Sequence, residues 1–331
     1  MTDLLFEIGT EELPSWYPAQ ASADLESLLT QALESAGIGH GEMTTFSTPR
    51  RLALLVRDLA DSSERRSEKR RGPPVSAAFD AEGKHTRAAL GFAAANGVPV
   101  EALTVEDSGR GEYLYATVET GGEATRDLLP ALLSRLVAAV PAPRKMRWGT
   151  VEEPFVRPVA RLLALYGTEV LTFSAAGQTA GRSTRGHRFL SSGELQLNSP
   201  AEYLQVLEDA SVSARPDERR ELTRTAVATA AAERGLVMEE DDELLDEVTG
   251  LVEYPFPILG TFADHYLELP EEVLTTVLIT HQRFFPLRRP DGSLAPAFIG
   301  VSNNRVTDEA VVRKGYEQVL DGRLYDARFF W

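Results

Sequence analysis

The sequence predicts an α+β protein, with mixed sheets and packed helices, and three observations carry that prediction. Runs with helical spacing and runs with strand character are interleaved without regular alternation. No G-x-G-x-x-G follows a strand and no G-x-x-x-x-G-K-[ST] loop occurs, which removes the phosphate signatures of parallel α/β sheets. The β-rich runs "RFFPLRR" (283–289) and "LAPAFIGVS" (294–302) flank Pro290-Asp291-Gly292, a strong turn signal.

The elements follow in chain order. Leu4 to Ile8 read as a short buried strand that Gly9 ends, with Thr10 expected to cap a helix whose first turn holds Glu11 and Glu12. "SADLESLLTQALESAG" carries an apolar stripe at Leu25, Leu28, Leu29, Ala32, Leu33 and Ala36, and Gly37 stands where a helix stops. "TTFSTPRRLALLVRDL" reads as a strand pair or one bent strand. "SERRSEKRRGPP", charged and ending in Pro-Pro, reads as an exposed loop. A short helix around Thr86 to Asn96 precedes the strand "EYLYATVET". "ATRDLLPALLSRLVAAV" is amphipathic until Pro141 and Pro143 stop it.

Beyond residue 143 the texture changes. "RPVARLLALYG" and "EVLTFSAAG" read as adjacent buried strands. A polar, alanine-rich helix runs from about Pro216 to Arg234, "FPILGTF" returns to β, and the chain turns helical from Asp308. The expected organisation is an α+β region over 1–143, a second α+β domain over 144–306 and the start of a helical region from 307. "GRLYDARFFW" would leave large aromatics in water, so Trp331 is expected not to be a natural terminus, and the stretch from about Val311 is expected to fray.

Composition narrows the chemistry. Without a single cysteine, disulfides, thiolate nucleophiles and Cys-ligated metals are excluded. No apolar run approaches a membrane span, and no basic-then-apolar leader opens the chain, so a cytoplasmic protein with no membrane partner is expected. The net charge of −16 argues against a general nucleic-acid coat. The basic residues, however, concentrate in Arg50 to Arg71, Arg144 to Arg161 and Arg182 to Arg188, while acid concentrates at Glu239 to Glu247. That segregation leaves room for a local phosphate-facing surface, or for solvated faces.

Within those stretches, Arg50 and Arg51 ("RRLALLV") and Arg70 and Arg71 ("EKRRGPP") cluster guanidinium groups, whose fork suits phosphate. Lys145 and Arg147 lie in "RKMRWG". In "STRGHRFL", Arg185, His187 and Arg188 flank a glycine where backbone could approach a ligand closely. In "HQRFFP" the aromatics Phe284 and Phe285 read as core rather than as a platform for bases. Histidines are dispersed, with no H-E-x-x-H, and no G-x-S-x-G elbow occurs.

Taken in order, "LLFEIGTEELP", "TPRRLALLV", "KRRGPP", "KMRWG", "FVRPV", "RGHRF", "LVEYPFPILGTF", "LPEEVL", "HQRFFP" and "DGRLYDARFFW" resemble the β subunit of bacterial heterotetrameric glycyl-tRNA synthetase, from residue 4 to residue 331. The resemblance implies that 144–306 is similar to the B3/B4 region of the phenylalanyl-tRNA synthetase β chain, and that 307–331 begins an HD-like domain. It implies partners, the α subunit of an α2β2 tetramer and tRNA(Gly). ATP and magnesium would act at α, with no cofactor and no catalytic residue on this chain. As the tRNA-binding candidates it leaves Arg50, Arg51, Arg70, Arg71, Lys145, Arg147, Arg185, His187 and Arg188. A tRNA-editing or stand-alone RNA-binding module of the same fold, and an assembly scaffold, are the rival readings. Where the family usually has Gly-Asn-Glu and a basic residue before an arginine–leucine pair, this chain has Tyr316, Gln318 and Asp321.

Overall fold

A computed structural model describes residues 1–109 and 111–331. They form two compact units: unit 1 is Met1–Gln31, Gly41–Asp58 and Leu129–Trp331, and unit 2 is Ala32–His40 and Leu59–Leu128. Helices and largely antiparallel sheets are mixed, as the α+β expectation requires.

Unit 1 is built on a sheet whose strands lie in the order 174–175, 178–181, 159–166, β1 (Thr2–Thr10), β3 (Arg51–Leu59) and β2 (Met43–Thr48). Strand β1 is central, so both its faces are covered and Leu4, Leu5, Phe6 and Ile8 are all wholly buried. That two-sided burial is why its sequence reads as an apolar run rather than an alternation. It pairs antiparallel with Val159–Tyr166, Glu7 opposite Leu163 and Gly9 opposite Arg161, and the register slips between Gly9 and Thr10. Helix α1 (Tyr17–Ala36) buries Ala21, Leu25, Leu29 and Leu33, one residue per turn, and Gly37 takes the left-handed φ of 67° that ends it.

Two expectations fail at the start of the chain. Thr10 is the last residue of β1 and caps nothing, because the backbone N–H of Glu11 is already bonded to the Pro158 carbonyl (2.9 Å) and α1 begins only at Tyr17. Glu11 and Glu12 therefore lie in the connection, not in a helical turn.

The rest of unit 1 holds a four-stranded antiparallel sheet ordered 237–238, 285–288, 294–302 and 256–261. Helix Pro216–Ala232 buries Arg219, Thr223, Val227 and Ala231, again one residue per turn. Phe284 and Phe285 are core residues, with Phe284 stacked on Phe298 at 4.5 Å between ring centroids. Helix Glu309–Phe330 is capped by the Asp308 carboxylate, which accepts from the N–H groups of Ala310 and Val311. Leu320 and Leu324 are wholly buried against Tyr266, Leu274 and Phe298, which corrects the expectation of fraying from Val311. Phe329, Phe330 and Trp331 stay exposed. On this helix Tyr316 lies on Phe284 at 5.2 Å, and Asp321 accepts from the Tyr266 hydroxyl at 3.0 Å.

Unit 2 is a three-stranded antiparallel sheet, 66–74, 112–120 and 104–107, with helix Arg87–Ala95 packed on it around Ala78, Ala89 and Leu114. Of the stretch expected to be a loop, "SERRSEKRRGPP", all but the first three residues form the edge strand Arg66–Pro74. Its charge is the kind that keeps an exposed edge from pairing with another chain.

Candidate functional site

A carboxylate in the middle of an apolar strand needs partners, and Glu7 has them. Sharing its face of β1 with Leu5, it is wholly buried. Its Oε1 accepts from Arg161 Nε (2.8 Å), its Oε2 from the Tyr203 hydroxyl (2.6 Å), and the Thr184 hydroxyl lies 2.9 Å from both oxygens. Arg51, the first residue of β3 and also wholly buried, reaches Glu7 at 3.7 Å and Glu253 at 3.1 Å, and donates to the Arg185 carbonyl at 2.9 Å. Glu253 Oε1 accepts in addition from the Thr48 hydroxyl at 2.7 Å. Its backbone N–H and that of Tyr254 both donate to Asn303 Oδ1.

The electrostatics follow from this geometry. Burial alone would push the Glu7 carboxyl up, but Arg161, Arg51 and two hydroxyls outweigh it and hold the pKa below 4.5. Glu253 is also held below 4.5: Arg51, Thr48 and Arg50 overcome its burial. Arg51 is correspondingly raised, its burial outweighed by the two carboxylates. Burial and Glu7 together raise Tyr203 well above 10. Arg219 is of another kind: it donates to the carbonyls of Thr249, Ser47 and Ser213, and burial lowers its pKa to about 10. It lines a cavity of about 640 Å³ together with Trp16, Asp217, Arg220 and Thr249.

The structure brings Arg50, Arg51, Arg185, His187 and Arg188 together in unit 1, in two different capacities. Arg51 and His187 are interior residues, at 0% and 1% exposure, so the surface role expected of them is corrected. The cause is local: Arg51 is needed to neutralise Glu7 and Glu253. His187 Nδ1 accepts from the backbone N–H groups of Phe189 and Leu190, which puts its proton on Nε2, facing Asn303 Oδ1 at 3.1 Å. Arg50 is 8% exposed, paired with Glu253 at 3.6 Å. Arg185 and Arg188 are exposed, Arg185 on Glu194 (3.4 Å) and Arg188 on Glu11 (2.5 Å) and Glu12 (3.1 Å).

The other candidates have contacts of their own. Lys145 is half-buried and donates to the Ala138 carbonyl, and the exposed Arg147 donates to that of Glu152. Arg70 and Arg71 belong to unit 2, both exposed, with Arg70 on Glu68 and Arg71 over the Tyr113 ring at 4.9 Å. Sequence reasoning missed Arg161, Tyr203 and Glu253. The available signal was a charged residue inside an apolar strand: Arg161 in "VARLLALY" sits opposite the strand that holds Glu7.

The glycyl-tRNA synthetase beta subunit family profile matches residues 4–331, nearly the whole chain and all of the network above. The chain belongs to this family. Among its relatives, the glycine–tRNA ligase beta subunit of Myxococcus xanthus is 44% identical over 329 residues, covering 99% of this chain and 47% of that protein. That of Syntrophotalea carbinolica is 43% identical over 329 residues, with 99% and 48% covered, and that of Bacillus subtilis 40% over 329 residues, with 99% and 48% covered. The chain thus spans about half the length of these beta subunits. Within "EIGTEELP" the three glutamates have separate tasks: Glu7 anchors the buried network, and Glu11 and Glu12 hold Arg188. Among the described residues no helix is long and apolar enough to cross a membrane.

Proposed function

We propose that this chain acts as part of the β subunit of a cytoplasmic α2β2 glycyl-tRNA synthetase, supporting ATP-dependent attachment of glycine to tRNA(Gly) by contacting tRNA and the catalytic α subunit. The observation that carries the reading is the family match over residues 4–331, at 40–44% identity to beta subunits of distant bacteria. The residues support a division of labour. ATP and magnesium are assigned to the α subunit: this chain has neither a P-loop nor another adenylation motif, and its buried carboxylates Glu7 and Glu253 are held by Arg51 and Arg161. Residues 144–306 are proposed to be similar to the B3/B4 region of the phenylalanyl-tRNA synthetase β chain.

RNA contact falls to the exposed arginines Arg70, Arg71, Arg185 and Arg188: the carboxylate partners of Arg70, Arg185 and Arg188 are solvent-facing and held weakly, and Arg71 lies over the Tyr113 ring. Replacing each by Ala in the intact α/β enzyme raises the KM for tRNA. It also lowers the log–log salt slope by about one unit or less per lost phosphate contact. Glycine-dependent pyrophosphate exchange stays unchanged. Unaltered charging in all four variants would leave the chain an assembly scaffold.

A further inference from the structure

The buried network leaves some of its donors unused, on residues that the backbone joins at one corner of unit 1, and Glu253 Oε2 beside Arg50 is likewise without a hydrogen-bond partner. Arg50 Nε, Arg50 Nη1, Arg161 Nη2 and Thr10 Oγ1 are buried, and none has a hydrogen-bond partner. The Arg50–Glu253 approach at 3.6 Å is an ion pair, too long for a hydrogen bond. The backbone joins the three residues: Thr10 N–H donates to the Arg50 carbonyl at 2.9 Å, and the register slip at Gly9/Thr10 lies against the stretch Val159 to Arg161. Arg161 reaches this corner only because residue 9 has no side chain, for a Cβ there would sit 2.4 Å from Arg161 Cζ. Arg188 stands nearby, exposed and tethered by Glu11 and Glu12, the two residues after Thr10.

On the solvent side, Arg188 is matched by Glu11 and Glu12. Inside, Arg50, Arg51 and Arg161 face two carboxylates, Glu7 and Glu253. Arg50 has its pKa lowered, first by burial and then by the guanidinium groups of Arg188, Arg51 and Arg161, against the pull of Glu253. A water could accept one or two of the idle N–H groups. A buried guanidinium with idle donors is costly and rare in folded proteins, and an oxyanion can accept from several such donors at once.

We infer that this corner is a binding site for a phosphate-like oxyanion, held by Arg50, Arg161 Nη2 and the Thr10 hydroxyl, with Arg188 closing on it from the solvent side. The oxyanion has two sources, an RNA phosphodiester or free phosphate. With RNA as the source the site deepens the proposed tRNA contact and rests on that reading; with free phosphate it stands by itself.

The test uses the intact protein and inorganic phosphate, titrated against chloride at equal ionic strength, with the thermal midpoint and a calorimetric Kd as readouts. Phosphate raises the midpoint saturably. Arg50→Lys, which keeps the charge facing Glu253 but loses the fork, weakens phosphate binding about ten-fold or more. Thr10→Val removes a hydroxyl that no protein group uses, so it folds as the parent does and weakens phosphate a few-fold. No stabilisation beyond chloride, or equal stabilisation of Arg50→Lys, overturns the site. The RNA arm separates the sources: if tRNA displaces phosphate and Arg50→Lys flattens the tRNA salt slope by about one unit, the anion is an RNA phosphate. If phosphate binds but tRNA affinity ignores the substitution, the site stands as a free-phosphate site, and the tRNA reading is left to the charging assay above.

Discussion

Glu253→Gln isolates the contribution of the buried network to stability. The wild-type carboxylate is wholly buried and receives Thr48 at 2.7 Å and Arg51 at 3.1 and 3.3 Å, with Arg50 at 3.6 Å. The amide keeps the shape and one acceptor but removes the charge. Arg51 then faces only Glu7 at 3.7 Å, and Arg50 loses its paired carboxylate. Removing one member of a buried ion pair costs about 3–5 kcal/mol, against about 0–1 kcal/mol for an exposed pair such as Glu11–Arg188. Urea unfolding followed by tryptophan fluorescence reads this directly, because Trp16, Trp148 and Trp331 all lie in unit 1. The acid limb gives a second readout. The folded pKa of Glu253 is depressed below 4.5, so its stabilisation is complete above 4.5 and is lost as the pH falls from there through the folded value. The variant lacks that step, and its stability falls less steeply with acid, Glu7 supplying what remains. A loss under about 1 kcal/mol, equal to that of Glu11→Gln, together with an unchanged acid limb, would refute the reasoning.

Two further outcomes follow from the packing. Gly9→Ala puts a methyl where Arg161 Cζ lies, so the guanidinium leaves Glu7 and stability falls by about 1–3 kcal/mol, the usual range for overpacking; a neutral effect would mean the strand yields freely. Leu320→Ala opens a cavity beside Tyr266 and Phe298 and costs about 2–5 kcal/mol, and hydrogen exchange shows protection through Leu324 that fades by Phe329; no protection beyond Val311 would contradict the packing.

Much of the fold was legible in the sequence where pattern and burial agree. The stripe of α1 and the stop at Gly37, the strand pair around Pro49, and the turn at Pro290-Asp291-Gly292 all follow from spacing and turn chemistry. The edge strand Arg66–Pro74 was read as a loop because an exposed edge carries charge where a central strand carries Val or Ile. Thr10 looked like a cap because capping residues and strand ends draw on the same polar residues, and only the hydrogen bond of Glu11 to Pro158 decides between them. Clustering of basic residues drew attention to Arg50, Arg51, Arg185 and Arg188 alike and could not separate the buried ones from the exposed ones. The different fates of Arg50 and Arg51 depend on Glu253, some two hundred residues away in sequence, and on Arg161, which lone arginine statistics do not single out. The family strings reported membership; only the three-dimensional arrangement reports which guanidinium groups are already spent.

The central claim, that this chain serves glycylation without activating glycine itself, is tested most directly by reconstitution. Glycine-dependent pyrophosphate–ATP exchange and tRNA(Gly) charging are measured with the protein carrying this chain alone, with the partner subunit alone, and with both. The account predicts no exchange from the protein carrying this chain alone, and charging only when both are present. Exchange by that protein alone, with the partner rigorously absent, would contradict it.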